Sequence, residues 1–132
     1  DRLYVYSTSA WSGVTSFDGG GGSNDRLRFF QSSATFDLTS VSLSNVERLY
    51  SFTSNSTLVV DDTSLADFTT IRSNPGNRLL TNDTSLDLTG KSVQNFTVES
   101  GNATGTTFTV NSKATAFQIR GGAGSDTVDA TG

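Results

Sequence analysis

The 132-residue chain has the length of one domain and contains no His, no Cys and no Met, which excludes imidazole bases, thiol nucleophiles, disulfides and Cys/His zinc sites. A net charge of −4, with nine Lys and Arg scattered singly, speaks against a nucleic-acid partner, which needs clustered basic surface. No apolar run approaches the ~18 residues of a spanning helix, so no membrane insertion is expected.

Twenty Ser, twenty Thr, nine Asn and thirteen Gly are poor helix formers that favour strands and turns, so the chain reads as all-β. The first predicted strand is Asp1-Arg2-Leu3-Tyr4-Val5-Tyr6, which returns as Asp25-Arg26-Leu27-Arg28-Phe29-Phe30 and as Glu47-Arg48-Leu49-Tyr50-Ser51-Phe52. Between the first two copies the pattern lapses, and Trp11, Val14 and Phe17 are expected to cap the first repeat. Weaker copies follow at Thr69-Thr70-Ile71-Arg72, Phe96-Thr97-Val98-Glu99 and Phe117-Gln118-Ile119-Arg120. Their central residues Leu3, Leu27, Leu49, Ile71, Val98 and Ile119 are 24, 22, 22, 27 and 21 apart.

A second strand follows each of the middle copies, alternating as Phe36/Leu38, Leu58/Val60 and Phe108/Val110, with Leu79 or Leu80 in the same role after Ile71. Period two means a strand with one face buried. Asp62-Thr63-Ser64-Leu65 recurs as Asp83-Thr84-Ser85-Leu86. Asn55 and Asn77 precede second strands, where Asn tolerates left-handed φ and closes turns. The long interval from Ile71 to Val98 predicts a loop over Leu88-Thr89-Gly90-Lys91-Ser92. The single Pro, Pro75, is expected at a turn, clear of any ladder.

A fixed period near 22 residues means a stacked architecture: each segment cannot bury its own apolar face and is stable only on its neighbours. The predicted fold is a parallel β-solenoid of about six rungs, right-handed by the general rule for parallel crossovers. An antiparallel sandwich gives no reason for side chains to recur at this interval. The chain reads as a single domain: residues 1–28 as N-terminal rung and cap, 29–118 as a longer-rung solenoid, and 119–132 as a glycine-rich C-terminal turn.

Gly121-Gly122-Ala123-Gly124-Ser125-Asp126-Thr127-Val128-Asp129 fits the nonapeptide G-G-x-G-x-D-x-U-x, in which glycines turn the chain tightly and a carboxylate joins inward carbonyls around a hard cation. A degenerate copy runs from Gly20 and Gly21 to Asp25, with Ser23 in place of the third glycine and Asp18 close by. Residues 18–28 and 119–132 thereby resemble the RTX, or hemolysin-type calcium-binding, repeat family of secreted bacterial proteins. The stretch between them resembles, more loosely, the longer-rung solenoids found beside such repeats in adhesins, surface-layer proteins and secreted enzymes. The resemblance implies calcium as cofactor, with Gly121, Gly122, Gly124 and Asp126, and Gly20, Gly21 and Asp25, as metal half-sites completed by neighbouring solenoid repeats of a larger protein. It also implies an extracellular or cell-surface location.

The adjacent acids Asp61 and Asp62 point to opposite faces of any strand and read as a solvated turn, not as an acid–base pair. Arg2, Arg26 and Arg48 would stack as a ladder, a charged stripe that resists aggregation or meets an acidic polysaccharide. The expected function is that of a non-enzymatic structural or adhesive segment ordered by calcium. The alternative is an auxiliary polysaccharide-binding module of a secreted enzyme, with Arg48 and Tyr50 as glycan contacts.

Overall fold

A computed structural model describes residues 1–131. The chain winds through about six stacked turns, and every strand pairing is parallel. Turn one holds β1 (Arg2–Val5), the short helix α1 (Thr8–Ser12) and β2 (Ser16–Asp18). Turn two holds β3 (Arg26–Phe29), β4 (Thr35–Asp37) and β5 (Ser42–Ser44), and turn three β6 (Arg48–Ser51) and β7 (Thr57–Val59). Turn four holds β8 (Thr70–Thr81) and β9 (Ser85–Asp87), and turn five β10 (Ser92–Ser100) and β11 (Thr107–Thr109). Turn six consists of α2 (Lys113–Ala116), β12 (Ile119–Gly122) and β13 (Thr127–Asp129).

Like residues lie above like, as the repeat predicts: Leu3 pairs with Leu27, Leu27 with Leu49 and Leu49 with Ile71. The next member of that column is Val93, which pairs with Ile71, and this corrects the expected continuation through Val98. Val98 instead lies between Leu79 and Ile119 in the second column, which begins Phe36, Leu58, Leu79. Phe108 belongs to a third column with Leu86 and Val128. The 22-residue step is therefore kept through Val93, and no looped insertion separates the fourth turn from the fifth. Instead the corner between first and second strands shortens, until one continuous strand runs round it in each of β8 and β10. In β10 the register shifts between Gln94 and Phe96, where Asn95 takes φ 61°. In β8 the corner is Asn74-Pro75-Gly76, with Gly76 at φ 93° and no ladder partner for Pro75, so the proline falls where a turn was expected.

The columns meet in one contiguous apolar interior. Phe29, Phe36, Leu27, Leu49, Leu58, Ile71, Leu79, Leu86, Val98 and Phe108 are completely buried. Trp11 closes the N-terminal side from α1, packing edge-on against Phe29 with ring centroids 5.1 Å apart and donating its indole N–H to the Asp37 carbonyl at 2.8 Å. Both short helices are set by local capping: Ser7 accepts from the Ala10 N–H and Ser112 from the Thr115 N–H.

The two Asp-Thr-Ser-Leu segments do not share a structure. Ser85-Leu86 opens β9, whereas residues 61–68 coil into turns because Asp61 and Ser64 exchange hydrogen bonds, Ser64 N–H to Asp61 Oδ1 at 2.6 Å and Asp61 N–H to Ser64 Oγ at 2.9 Å. Lys91 from the next turn caps that coil. Its ammonium donates to the carbonyls of Leu65 at 2.7 Å and Phe68 at 3.2 Å, and burial holds its pKa below the ordinary 10.5.

Candidate functional site

Two regions carry groups that could meet a ligand: the glycine-rich turns, and the outer face of the first sheet.

In the C-terminal turn, Gly121, Gly122 and Gly124 all adopt positive φ, at 77°, 144° and 81°, as the nonapeptide requires. The reason for two of the glycines lies in packing onto the fifth turn. A Cβ on Gly122 would run into the Ser100 carbonyl oxygen, and one on Gly124 into the Gly105 backbone. The two turns thus touch backbone to backbone. Asp126 Oδ1 accepts the Thr106 N–H at 2.9 Å, and the facing segment, residues 100–106, contains no carboxylate. A calcium ion needs six to eight oxygens, and the residues between turns five and six do not fit one.

At the N-terminal turn, Gly20 and Gly22 have positive φ, at 76° and 138°, while Gly21 does not. Asp25 is buried, its Oδ1 against the Asp1 amino group and its Oδ2 without a hydrogen-bond partner. Asp18 faces a different set of donors, the Asn45 side-chain amide and the Gly20 N–H, each at 2.8 Å. These bonds hold its carboxyl below the ordinary 3.8. Among the described residues no three His, Cys, Asp or Glu side chains converge where they could hold a metal.

Asp126 belongs to a system that the sequence reading missed. Along the stack, a side-chain acceptor in one turn reaches back to a backbone N–H of the preceding turn. Glu47 Oε2 takes the Asp25 N–H at 2.9 Å, Asp67 Oδ2 the Asn45 N–H at 2.7 Å, Asn77 Oδ1 the Ser56 N–H at 2.9 Å and Asn111 Oδ1 the Gly90 N–H at 3.1 Å. A buried N–H needs such a partner. Asn77 is completely buried and also donates to the carbonyls of Thr53 and Asn74, so its role is this link and not left-handed φ. Asn55 does adopt left-handed φ, at 55°.

On the outer face of the first sheet, alternation turns every second residue of β1, β3, β6 and the start of β8 outward. Strand register then builds columns. Arg2, Arg26 and Arg48 form the expected ladder, followed by Thr70. Beside it run Tyr4, Arg28, Tyr50 and Arg72. The Arg28 guanidinium carbon is 5.5 Å from the ring centroids of both Tyr4 and Tyr50, within cation–π reach. Just past the strand ends, Tyr6 stacks on Phe30 at 5.0 Å and Phe30 on Phe52 at 5.7 Å.

Five of the nine basic residues therefore lie on one face of a net acidic chain. The ion pairs among the described residues, Asp1 amino to Asp25 and Arg78 to Glu99, involve none of the five. Arg48 and Tyr50, predicted together, are neighbours here, with the guanidinium 3.4 Å from the phenol oxygen. Trp11, in contrast, is buried and is not part of this surface.

Compared with known proteins, the chain matches no family model, no curated protein and no solved structure.

Proposed function

We propose that the chain is a non-enzymatic structural or adhesive β-solenoid segment of an extracellular protein, working through its neighbouring turns and its outer face. The observation that carries this reading is the in-register stack with its backward-reaching acceptors. Asp61, Asp67, Asp126 and Glu47 each commit one carboxylate oxygen to a backbone N–H, a structural use of these groups. A rod held this way transmits load along its axis and keeps its sides free for contacts. The RTX resemblance supports a secreted setting, and calcium enters only where a further nonapeptide turn stacks on Gly121–Asp126 and supplies the facing oxygens.

Thermal unfolding with calcium and with a chelator tests the calcium part. The 132-residue chain is expected to melt at the same temperature in both. The same chain followed by a second nonapeptide turn is expected to melt higher in calcium, because an ion bound only by the folded form stabilises it. A calcium-insensitive extended chain would remove calcium from the account. Release of reducing ends from any polysaccharide by the purified chain would remove the non-enzymatic reading.

The second reading, an auxiliary polysaccharide-binding module, is favoured by one observation: the arginine columns interleaved with aromatic rings on the first sheet.

A further inference from the structure

We infer that the outer face of the first sheet binds an acidic polysaccharide, and that one carboxylated sugar unit is held in the groove at the end of the aromatic stack, formed by Tyr50, Phe52, Arg72, Asn74 and Asn95. This deepens the polysaccharide reading and rests on it.

The position of the groove follows from the register. Tyr6, Phe30 and Phe52 lie above one another with nearly parallel planes, 18° and 26° between successive rings. Such a stack turns ring edges outward and uses up ring faces, so most of it offers a sugar little to lie on. The stack stops at Phe52 because the residue one turn further on is Asn74, by the pairing of Ser51 with Ser73. The ring series turns along the strand to Tyr50, whose ring lies 5.7 Å from that of Phe52 with 21° between the planes, and no ring follows in the next turn; Phe52 is 46 % exposed. A cavity of about 190 Å³ opens there, lined by Tyr50, Phe52, Arg72, Ser73, Asn74 and Asn95. It is smaller than the ~300 Å³ at which sites for drug-sized ligands begin, and suits a single ring of a longer chain.

The chemistry of the lining selects the ligand. An aromatic plane takes the apolar face of a pyranose ring. Arg72 is exposed and has no carboxylate partner among the described residues, so its planar fork is free to take a carboxylate in two parallel hydrogen bonds. Asn74 and Asn95 add side-chain amides to the lining, the Asn95 amide also donating to the Ser73 carbonyl at 3.2 Å. Next along the face come Arg28, fixed between Tyr4 and Tyr50, and the ladder Arg2, Arg26, Arg48. Arg2, Arg26 and Arg48 stand on successive strands, ~4.8 Å apart along the backbone, and a polyanion laid across that column of like charge relieves its repulsion. A neutral glycan would use the ring but leave the arginines unpaired. Nucleic acid shares the charge, and tighter binding of single-stranded DNA is the outcome that would displace the polysaccharide.

Calorimetry of the intact 132-residue chain with an oligogalacturonate and with a neutral cello-oligosaccharide of equal length tests the inference. The acidic oligomer is expected to bind, with affinity falling as salt rises, and the neutral one to bind at least tenfold more weakly. Phe52→Ala and Arg72→Ala are each expected to weaken binding about tenfold or more, while Arg120→Ala, which is off this face, leaves it unchanged. Unaltered melting temperatures establish that the variants fold, and Arg72→Gln provides a second variant of the same site that keeps length and polarity. Unimpaired binding by the Phe52 and Arg72 variants together with loss in Arg48→Ala would overturn the groove but keep the acidic-polysaccharide reading. No binding of the acidic oligomer at low salt, or tighter binding of single-stranded DNA, would overturn both.

Discussion

At the scale of single residues, stability rests on polar groups that link one turn to the next. Asn77 makes four hydrogen bonds to three residues, Thr53, Ser56 and Asn74, while completely buried. Asn77→Ala leaves the Ser56 N–H without an acceptor, and is expected to cost about 3 kcal/mol in urea unfolding. Asn55→Gly is expected to stay within about 0.5 kcal/mol of the parent, because φ 55° suits either residue. Glycines divide in the same way. Gly122→Ala forces both an unfavourable φ and a clash with the Ser100 carbonyl, and is expected to lose about 3 kcal/mol or more. Gly20→Ala meets open space and should lose only about 1 kcal/mol.

A second residue-scale device ends the strands. Asp37, Asp87 and Asp129 each turn an oxygen back to the N–H two residues on, at Thr39, Thr89 and Thr131. Hydrogen bonds from Thr89 and Thr131 hold the Asp87 and Asp129 carboxyls below the ordinary 3.8. The folded form therefore gives up these protons more readily than the unfolded chain. Their contribution is complete above the ordinary carboxylate pKa and is lost as pH falls through the lower folded values. The melting temperature should be flat between about pH 7 and pH 5 and fall below about pH 4. Asp87→Asn, which keeps the acceptor oxygen without its charge, is expected to make that fall shallower. The signal for this device was in the sequence, where Asp37-Leu38-Thr39 recurs as Asp87-Leu88-Thr89.

At the scale of elements, the first three turns were legible because their outward residues repeat along with the inward ones: Arg2, Arg26 and Arg48 mark the register independently of the leucines. From the fourth turn only apolar alternation remains, and alternation is the same on every strand of a turn. The second column could therefore be mistaken for the first, and Val98 for Val93. Shortening of the corner from the 8 residues between Ile71 and Leu79 to the 5 between Val93 and Val98 completed the disguise. The Asp-Thr-Ser-Leu repeat misled for a different reason, since Asp61 rather than the repeat itself decides that residues 61–68 coil. Core truncation separates the two registers. Val93→Ala is expected to cost about 2 kcal/mol, the scale of a buried column member, and Leu49→Ala, buried from both sides, about 3–4 kcal/mol.

At the scale of the molecule, side-chain acceptors tie each turn to its neighbours in both directions. Glu47, Asp67, Asn77, Asn111 and Asp126 reach toward the N-terminal neighbour, whereas Asp62 and Ser32 accept the N–H groups of Asp87 and Ser54 in the following turn. The outer face depends on the same stack: arginines and rings from four separate turns become one surface only because register places them in columns. The repeat alone made Arg48 and Tyr50 legible as neighbours on this face. Phe52, Arg72 and Asn74 were not, because their proximity arises where the aromatic pattern ends.

Methyl-to-methyl NOEs in a Leu, Ile and Val labelled sample test the stack most directly. The expected network runs Leu27 to Leu49 to Ile71 to Val93, with a separate one through Leu58, Leu79, Val98 and Ile119. Contacts from Ile71 to Val98 in place of Val93, or Hα-to-Hα contacts of antiparallel pairing between β6 and β8, would contradict the account.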